Sequence, residues 1–414
     1  MLISRKFRGL RVLFALLALL LSQAATGGGT ALAEGKLRVF ILAGQSNMQG
    51  HAHVRTFDAM RLNSKAAPLL QELRNRDGMP RVCKRVWISS IGSADEEQTG
   101  RLTTGFGAEA RGPKIGPEYT FGIFMEKFYD GPILIIKTAW GGKSLNTDFR
   151  PPSAGPYEFN ETQRNQLQTQ NKDIEQIKAD KAKATGHYYR LMIDHVKHVL
   201  GDIKRVYPDY DAKQGYELAG CVWFQGWNDM VDGGVYPHRD QPGGYDEYSK
   251  LMAQFIRDVR QDLSSPGLPF VIGVMGVGGP TDQYGPDQQR YKAVHQNFRD
   301  AMAAPAALPE FQGTVTAVLT EKFWDKEFVR LRERERTIKP KLDEIAGKVK
   351  AGQMTREAGQ AASDKLYAEQ FSERELEILK QSVSNADFHY LGSAGIMAQI
   401  GKAFAESLQE IERK

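Results

Sequence analysis

The residues that can do chemistry fall in five short blocks. In VFILAGQSNMQG at 39–50, an apolar run stops at Gly44-Gln45-Ser46-Asn47-Met48. A serine at the tip of a strand-to-helix turn projects from the carboxyl edge of a sheet. Its backbone N–H faces the same place, with a helix dipole behind it. Gly44 permits the sharp turn; a plain N-cap is the bland alternative for Ser46. In GPILIIKTAWGGKSL at 131–145, a second apolar run ends in Trp140-Gly141-Gly142, where paired glycines let the backbone approach a ligand and aim an N–H at it. In GCVWFQGWNDM at 220–230, a third run ends in Gln225-Gly226-Trp227-Asn228-Asp229. A side-chain amide there can donate to a developing oxyanion, although Asn-Asp is also a favoured turn pair. In SNADFHYLGSAGIMAQIG at 384–401, His389 precedes an amphipathic stretch, with Asp387 two residues before it. An imidazole so placed can serve as general base and then general acid. Of the seven other histidines, His51 and His53 lie near Ser46 in sequence and stand in reserve. In IGPEYTFG at 115–122, Glu118 falls in the first turn of a helix opened by Gly116-Pro117. Helix N-terminal stabilisation accounts for it, with a substrate-side or supporting role as the alternative.

These blocks need a scaffold that brings strand ends together. Leu37–Ala43, Ile133–Thr138, Leu218–Phe224 and Phe270–Met275 read as buried parallel strands, with Val82–Ile88 and Val315–Leu319 as weaker candidates. Helical periodicity marks Tyr188–Leu200, Tyr245–Leu263 and Ser393–Ile411. Strand and helix in alternation predict a three-layer α/β/α sandwich with a mostly parallel central sheet, whose ligands bind outside the carboxyl ends of the strands. Two segments read as insertions. Residues 160–185 are polar. Residues 321–380 carry 27 charges in 60 positions and predict two or three solvated helices divided at Pro340 and Gly352. The remainder, 34–414, reads as one domain.

The chain has 414 residues and a formal net charge of +5, yet residues 1–33 hold Arg5, Lys6, Arg8 and Arg11 and no acid. Without them the balance is near neutral, which gives no reason to expect a nucleic-acid partner. The same residues have a basic start, a ten-residue apolar run from Val12 to Leu21, and small residues ending Ala31-Leu32-Ala33. That is the layout of a secretory signal peptide cut after Ala33. The apolar run spans about 15 Å of helix, too short for a roughly 30 Å hydrocarbon core, so the expectation is export without a stable membrane anchor. Two cysteines exclude a disulfide scaffold and a Cys-rich metal module. Cys83 and Cys221 read either as a pair formed in an oxidising compartment or as buried free thiols.

Taken in chain order, the blocks resemble the SGNH-hydrolase superfamily, and within it the sialate O-acetylesterase / carbohydrate esterase 6 group. GQSNM at 44–48 matches the nucleophile block, with Ser46 as nucleophile and Gln45 beside it on the substrate side. GPE at 116–118, WGG at 140–142 and WFQGWND at 223–229 match the following blocks. The resemblance implies an SGNH fold and a serine esterase that removes acetyl groups from O-acetylated carbohydrate, with neither metal nor organic cofactor. It implies oxyanion donors among the Ser46 N–H, Gly142 or Gly141, and Gln225 or Asn228, with Glu118 and Asp229 near the site. Trp140, Trp227 and Trp223 offer sugar-stacking surface, core packing being the simpler reading of Trp223. Two positions depart from the pattern. Trp227 stands where the family has Glu, and Ala386 stands where an acid precedes the histidine by three. Asp387 then takes the acid's role, or an acid comes from elsewhere such as Glu118 or Asp229, or Ser46 and His389 act as a dyad. The rival readings are an inactive carbohydrate-binding relative and another SGNH ester or thioester hydrolase. No apolar stripe for a long acyl chain adjoins the blocks, and no phosphate-binding glycine run follows a strand.

Overall fold

The computed structural model describes residues 35–413, so the leader expected over 1–33 lies outside the described residues. The central sheet has seven strands: β1 (Leu37–Gly44), β2 (Val86–Gly92), β3 (Gln98–Arg101), β4 (Ile133–Ala139), β5 (Tyr216–Phe224), β6 (Phe270–Val274) and β7 (Val315–Leu319). Their spatial order is β3-β2-β4-β1-β5-β6-β7, parallel throughout except for the β2–β3 pair. Successive side chains of a strand face opposite ways, and every residue of β4 is buried, so helices cover both faces. The four main strand expectations agree with the structure to within two residues at either end. The segment expected over Val82–Ile88 starts late, at Val86. The N–H groups of Lys84 and Arg85 donate to the Glu126 carboxylate at 2.6 and 2.7 Å, which draws that backbone out of the ladder.

The helices are α1 (Ser46–Gln49), α2 (Ala67–Leu73), α3 (Glu118–Phe128), α4 (Glu161–Thr169), α5 (Ile174–Ala184), α6 (His187–Gly201), α7 (Trp227–Val231), α8 (Asp246–Asp262), α9 (Lys292–Ala303), α10 (Lys326–Lys350), α11 (Arg356–Gln370), α12 (Glu373–Gln381) and α13 (Ala394–Glu412). The polar insertion is α4 and α5, neither of which buries a residue. The charged insertion is three helices, α10 to α12. Gly352 does separate α10 from α11, but Pro340 lies inside α10 without ending it. Proline removes one donor four residues after the Arg336 carbonyl. Pro340 and Arg336 are both exposed, so water can take the freed carbonyl, and Phe328, Leu331 and Ile338 hold the helix down. No helix among the described residues is long and apolar enough to cross a membrane. Cys83 and Cys221 are free and buried; they form no pair.

Three features position the site. First, Gly44 pairs with Ala139 on one side and Phe224 on the other, so β4, β1 and β5 end level and release their following loops at one height. Second, β1 leads away towards β2 while β5 leads towards β6. The connections therefore diverge beside β1, where open α/β sheets form a crevice. Third, α13 packs tightly on α3: a Cβ added at Gly401 would fall 2.1 Å from the Pro117 carbonyl oxygen. This contact ties the C-terminal helix, and the loop before it, to the frame under the first strand.

Candidate active site

At the tip of β1 the chain must turn beneath Phe224, and only glycine fits. Gly44 has φ 156°, and a Cβ there would lie 2.2 Å from the Phe224 carbonyl oxygen. Gln45 follows with an extended backbone, and Ser46 opens the one-turn helix α1. The Gln45 side chain is buried and spans the crevice to the β5 loop. Its Oε1 accepts from the Gly226 N–H at 3.0 Å, and its Nε2 donates to Asn228 Oδ1 at 3.0 Å. That second bond fixes the Asn228 amide with Nδ2 as the end left free to donate. Among the described residues Ser46 Oγ has one long hydrogen-bond contact, 3.5 Å from Gln45 Nε2. Among the described residues no protein group accepts from the backbone N–H of Ser46 or of Gly142. The Gly141 N–H is spent on Ser93 Oγ at 3.0 Å. Of the two glycines expected to donate, Gly142 is thus the one with a free N–H.

The Gln225 amide, expected as an alternative donor, is likewise spent. Its Nε2 donates to the Lys143 carbonyl at 3.0 Å and to Asp229 Oδ2 at 2.7 Å, while its Oε1 accepts from Tyr248 at 3.1 Å. With both amide hydrogens used below the crevice, it has none to offer an oxyanion. Asp229 is a structural hub rather than the acid beside His389. Its buried carboxylate accepts from the N–H groups of Leu145 and Asn146, from Asn146 Nδ2, from Gln225 and from Tyr236. Burial pushes its pKa up, and those N–H donors oppose the rise. Glu118 is likewise occupied. Its Oε2 lies 2.8 Å from Lys137 Nζ, both side chains being buried, and its Oε1 accepts from the Gly116 N–H. Lys137 also donates to the carbonyls of Gln49 and Phe106, so this ion pair supports the floor beneath α1. Burial pulls the ammonium pKa down and the Glu118 carboxylate opposes it.

His389 sits in a loop folded on itself. The N–H groups of Ser384 and Asn385 donate to the Leu391 carbonyl, and those of His389 and Leu391 donate to the Ala386 carbonyl. Tyr390 and Leu391 both take left-handed backbone, φ 52° and 61°, which is strained for side chains of this size. Both are buried. The Tyr390 hydroxyl accepts from the Gly276 N–H at 2.8 Å and pairs with Thr320 Oγ1, so core bonds hold the strained turn in place. Within this turn Asp387 is exposed to solvent and its side chain makes no hydrogen bond among the described residues, contrary to the expectation that it partners His389. At about three residues per turn, positions two apart diverge.

Asn385 takes the place assigned to the acid: its Oδ1 lies 3.0 Å from His389 Nδ1. Accepting there puts the proton on Nδ1 and leaves Nε2 as a base. The Asn385 Nδ2 lies 3.4 Å from Nδ1 of His51, whose ring stacks on that of His389 at 3.8 Å between centroids and 2° between planes. Burial lowers the His389 pKa to about 4. Burial, then repulsion from His389, lowers that of His51 to about 3. Both rings are therefore neutral near pH 7.

Ser46, Gly142, Asn228, His51 and His389 all line one cavity of about 500 Å³ at the carboxyl edge of the sheet. Gln45 and Gly141 line it too, whereas Gln225, Glu118, Asp229 and Asp387 do not. Among the described residues no imidazole is hydrogen-bonded to Ser46 Oγ; bonds of this kind tighten with substrate in place. Trp140 and Trp223 are core residues, leaving Trp227 as the one tryptophan of the three that faces the cavity. A second serine–histidine–carboxylate group exists away from it: Ser89 Oγ is 2.9 Å from His195 Nε2 and 2.6 Å from Glu97 Oε1. Ser89 is fully buried within β2, and no substrate can reach it.

The family described as carbohydrate esterase, sialic acid-specific acetylesterase matches residues 36–310. The chain belongs to this family. The matched span holds the Ser46, Gly142 and Asn228 blocks of this carbohydrate esterase family member and ends before His389. No curated protein matches the sequence. Three similar solved structures each have a TM-score of 0.37. They include a protein from Arabidopsis thaliana at 16% identity, over 68% of this chain and 85% of that one. A carbohydrate acetylesterase from Xanthomonas citri is 15% identical, over 68% and 49% respectively. NanS is 11% identical, over 70% and 79%. Asn385, Lys137 and the His51 stack are absent from the sequence-based site. A lysine inside an otherwise apolar strand was the available signal for Lys137, since it demands a buried carboxylate.

Proposed function

We propose that this chain is an exported serine esterase that removes O-acetyl groups from carbohydrate through an acyl-enzyme. One observation carries the reading. A serine hydroxyl at the tip of β1, an imidazole held in the base tautomer, and three unspent donors (Ser46 N–H, Gly142 N–H and Asn228 Nδ2) line one cavity. His389 Nε2 takes the Ser46 proton as Oγ attacks the ester carbonyl carbon. The carbonyl oxygen gains charge within reach of the three donors. His389 then gives the proton to the departing sugar oxygen, leaving acetyl on Ser46. Water, deprotonated by the same imidazole, attacks the acetyl carbonyl and restores the serine. Asn385 replaces a carboxylate, so it fixes the tautomer without stabilising the imidazolium by charge. Export rests on the leader composition of residues 1–33 alone.

Ser46→Ala is expected to abolish acetate release from acetylated sugars and aryl acetates while leaving the circular dichroism and melting curve unchanged. A fluorophosphonate should label the wild type at Ser46. Retained hydrolysis in the variant refutes the scheme. The missing carboxylate on His389 favours a second reading, a carbohydrate-binding protein on an inactive esterase fold. Binding of acetylated glycan with neither acetate release nor probe labelling would establish it.

A further inference from the structure

The cavity's two flanks differ, and the difference bears on which sugar enters. The sheet order puts the β2–β3 loop on one side of Ser46 and the β5 loop on the other. On the β5 side stand Trp227 and Phe388, with ring centroids 5.7 Å apart and planes tilted by 37°. Phe388 is 40% exposed, unusual for so large an apolar ring, and both rings line the cavity. Paired aromatic faces of this kind suit the C–H face of a pyranose. On the β2 side the lining carries Glu96, Gln98 and, from the following segment, Glu109. Glu96 and Glu109 are exposed, and Gln98 Nε2 donates to Glu109 Oε1 at 3.2 Å. Carboxylate and amide oxygens accept hydrogen bonds from hydroxyl groups and repel another carboxylate.

The positive charges nearby are all committed or outside. Among the described residues Lys137 is the one cation in the lining, buried and paired with Glu118. The Lys114 ammonium donates to the carbonyls of Ala108 and Ala110. Lys143, next to Gly142, is held over the Tyr188 ring at 4.3 Å, and Arg111, beside Ala110, lies outside the lining. His51 and His389 are neutral. Among the described residues no basic side chain lining the cavity is left to bind a sugar carboxylate, and the exposed Asp387 beside Phe388 adds a further negative charge at the rim.

We infer that the cavity takes acetate esters of uncharged sugars and disfavours anionic ones: Trp227 and Phe388 stack the ring, and Glu96 and Glu109 accept from its hydroxyls and repel carboxylates. The inference rests on the proposed esterase activity. A cavity of 500 Å³ is about 8 Å across, and two exposed carboxylates at that distance disfavour a bound anion by about fivefold in water. The discriminating pair of substrates is 9-O-acetyl sialic acid and its carboxamide, which differ at that one group, charged in the acid and neutral in the amide. Acetate release is measured at low ionic strength, with an acetylated methyl glucoside as a second neutral substrate. The expected result is kcat/KM at least threefold higher for the carboxamide than for the acid. That ratio should fall towards one in Glu96→Gln/Glu109→Gln, and also at 1 M salt, where screening acts within about 3 Å. A wild-type ratio below threefold overturns the inference and leaves the esterase reading intact. A ratio unaffected by the double substitution overturns the role given to Glu96 and Glu109. No acetate from any of the three substrates, nor from an aryl acetate, overturns the esterase reading instead.

Discussion

Replacing Asn385 by aspartate would put a charge where the structure has an amide, 3.0 Å from His389 Nδ1. With charge centres about 4 Å apart and an effective dielectric of about 20, the attraction for the imidazolium is about 4 kcal/mol, or about three pK units. Solvent at the partly exposed loop reduces this to about one to three units. The wild-type imidazole, held near pKa 4 by burial, should therefore move to about 5–7 in Asn385→Asp. The sign follows from the base role proposed for His389, in which only the neutral ring can accept the Ser46 proton. For the wild type, log kcat/KM against an aryl acetate should stay flat from pH 8 to about 5 and fall with a midpoint near 4. In the variant the acid limb should move up by about one to three units. Activity at pH 5 then drops, while activity at pH 8 is kept or rises because the carboxylate stabilises the imidazolium in the transition state. A limb that stays within half a unit of the wild type would show that residue 385 does not govern the base.

Three further outcomes follow from the same geometry. Asn228→Ala should lower kcat by about 10²-fold with a near-normal melting temperature, because it removes one donor of the proposed oxyanion site; a loss below threefold in steady-state kinetics would exclude that role. Lys137→Met leaves the Glu118 carboxylate buried without a counter-charge and should cost about 3–5 kcal/mol in urea unfolding, with Lys137→Met/Glu118→Gln recovering much of it; equal losses in both variants would show that the pairing is not what matters. Asp387→Asn should leave the pH–rate profile unchanged, since that side chain faces solvent; a shifted acid limb would return it to the site.

Much of the scaffold was legible because burial leaves a direct mark on composition. LRVFILA and ILIIKTA are apolar on both faces, and only a strand covered on both sides needs that pattern. The helix Ala394–Glu412 showed its buried face by its spacing. Val82 is apolar yet 54% exposed, and the strand begins only after Lys84 and Arg85, whose N–H groups donate to Glu126. Pro340 misled because an exposed helix tolerates the donor it lacks.

The sequence by itself determined which strand tips carry polar groups: Ser46 behind Gly44, Gly142 behind Ala139, and Asn228 behind Phe224. It did so because a tight turn after a buried strand restricts the residues that fit. Only the tertiary structure decided how those groups are used. Gln225, Glu118 and Asp229 have the right chemistry, but the Lys143 carbonyl, the Lys137 ammonium and the Leu145 N–H, all distant in sequence, engage them. The histidine's partner was decided in the same way. A loop with two left-handed residues, pinned by the Tyr390 hydroxyl to β6 and β7 neighbours, turns Asp387 outward and Asn385 inward. Backbone direction in such a turn depends on bonds to residues more than 60 positions away, and no local spacing encodes it.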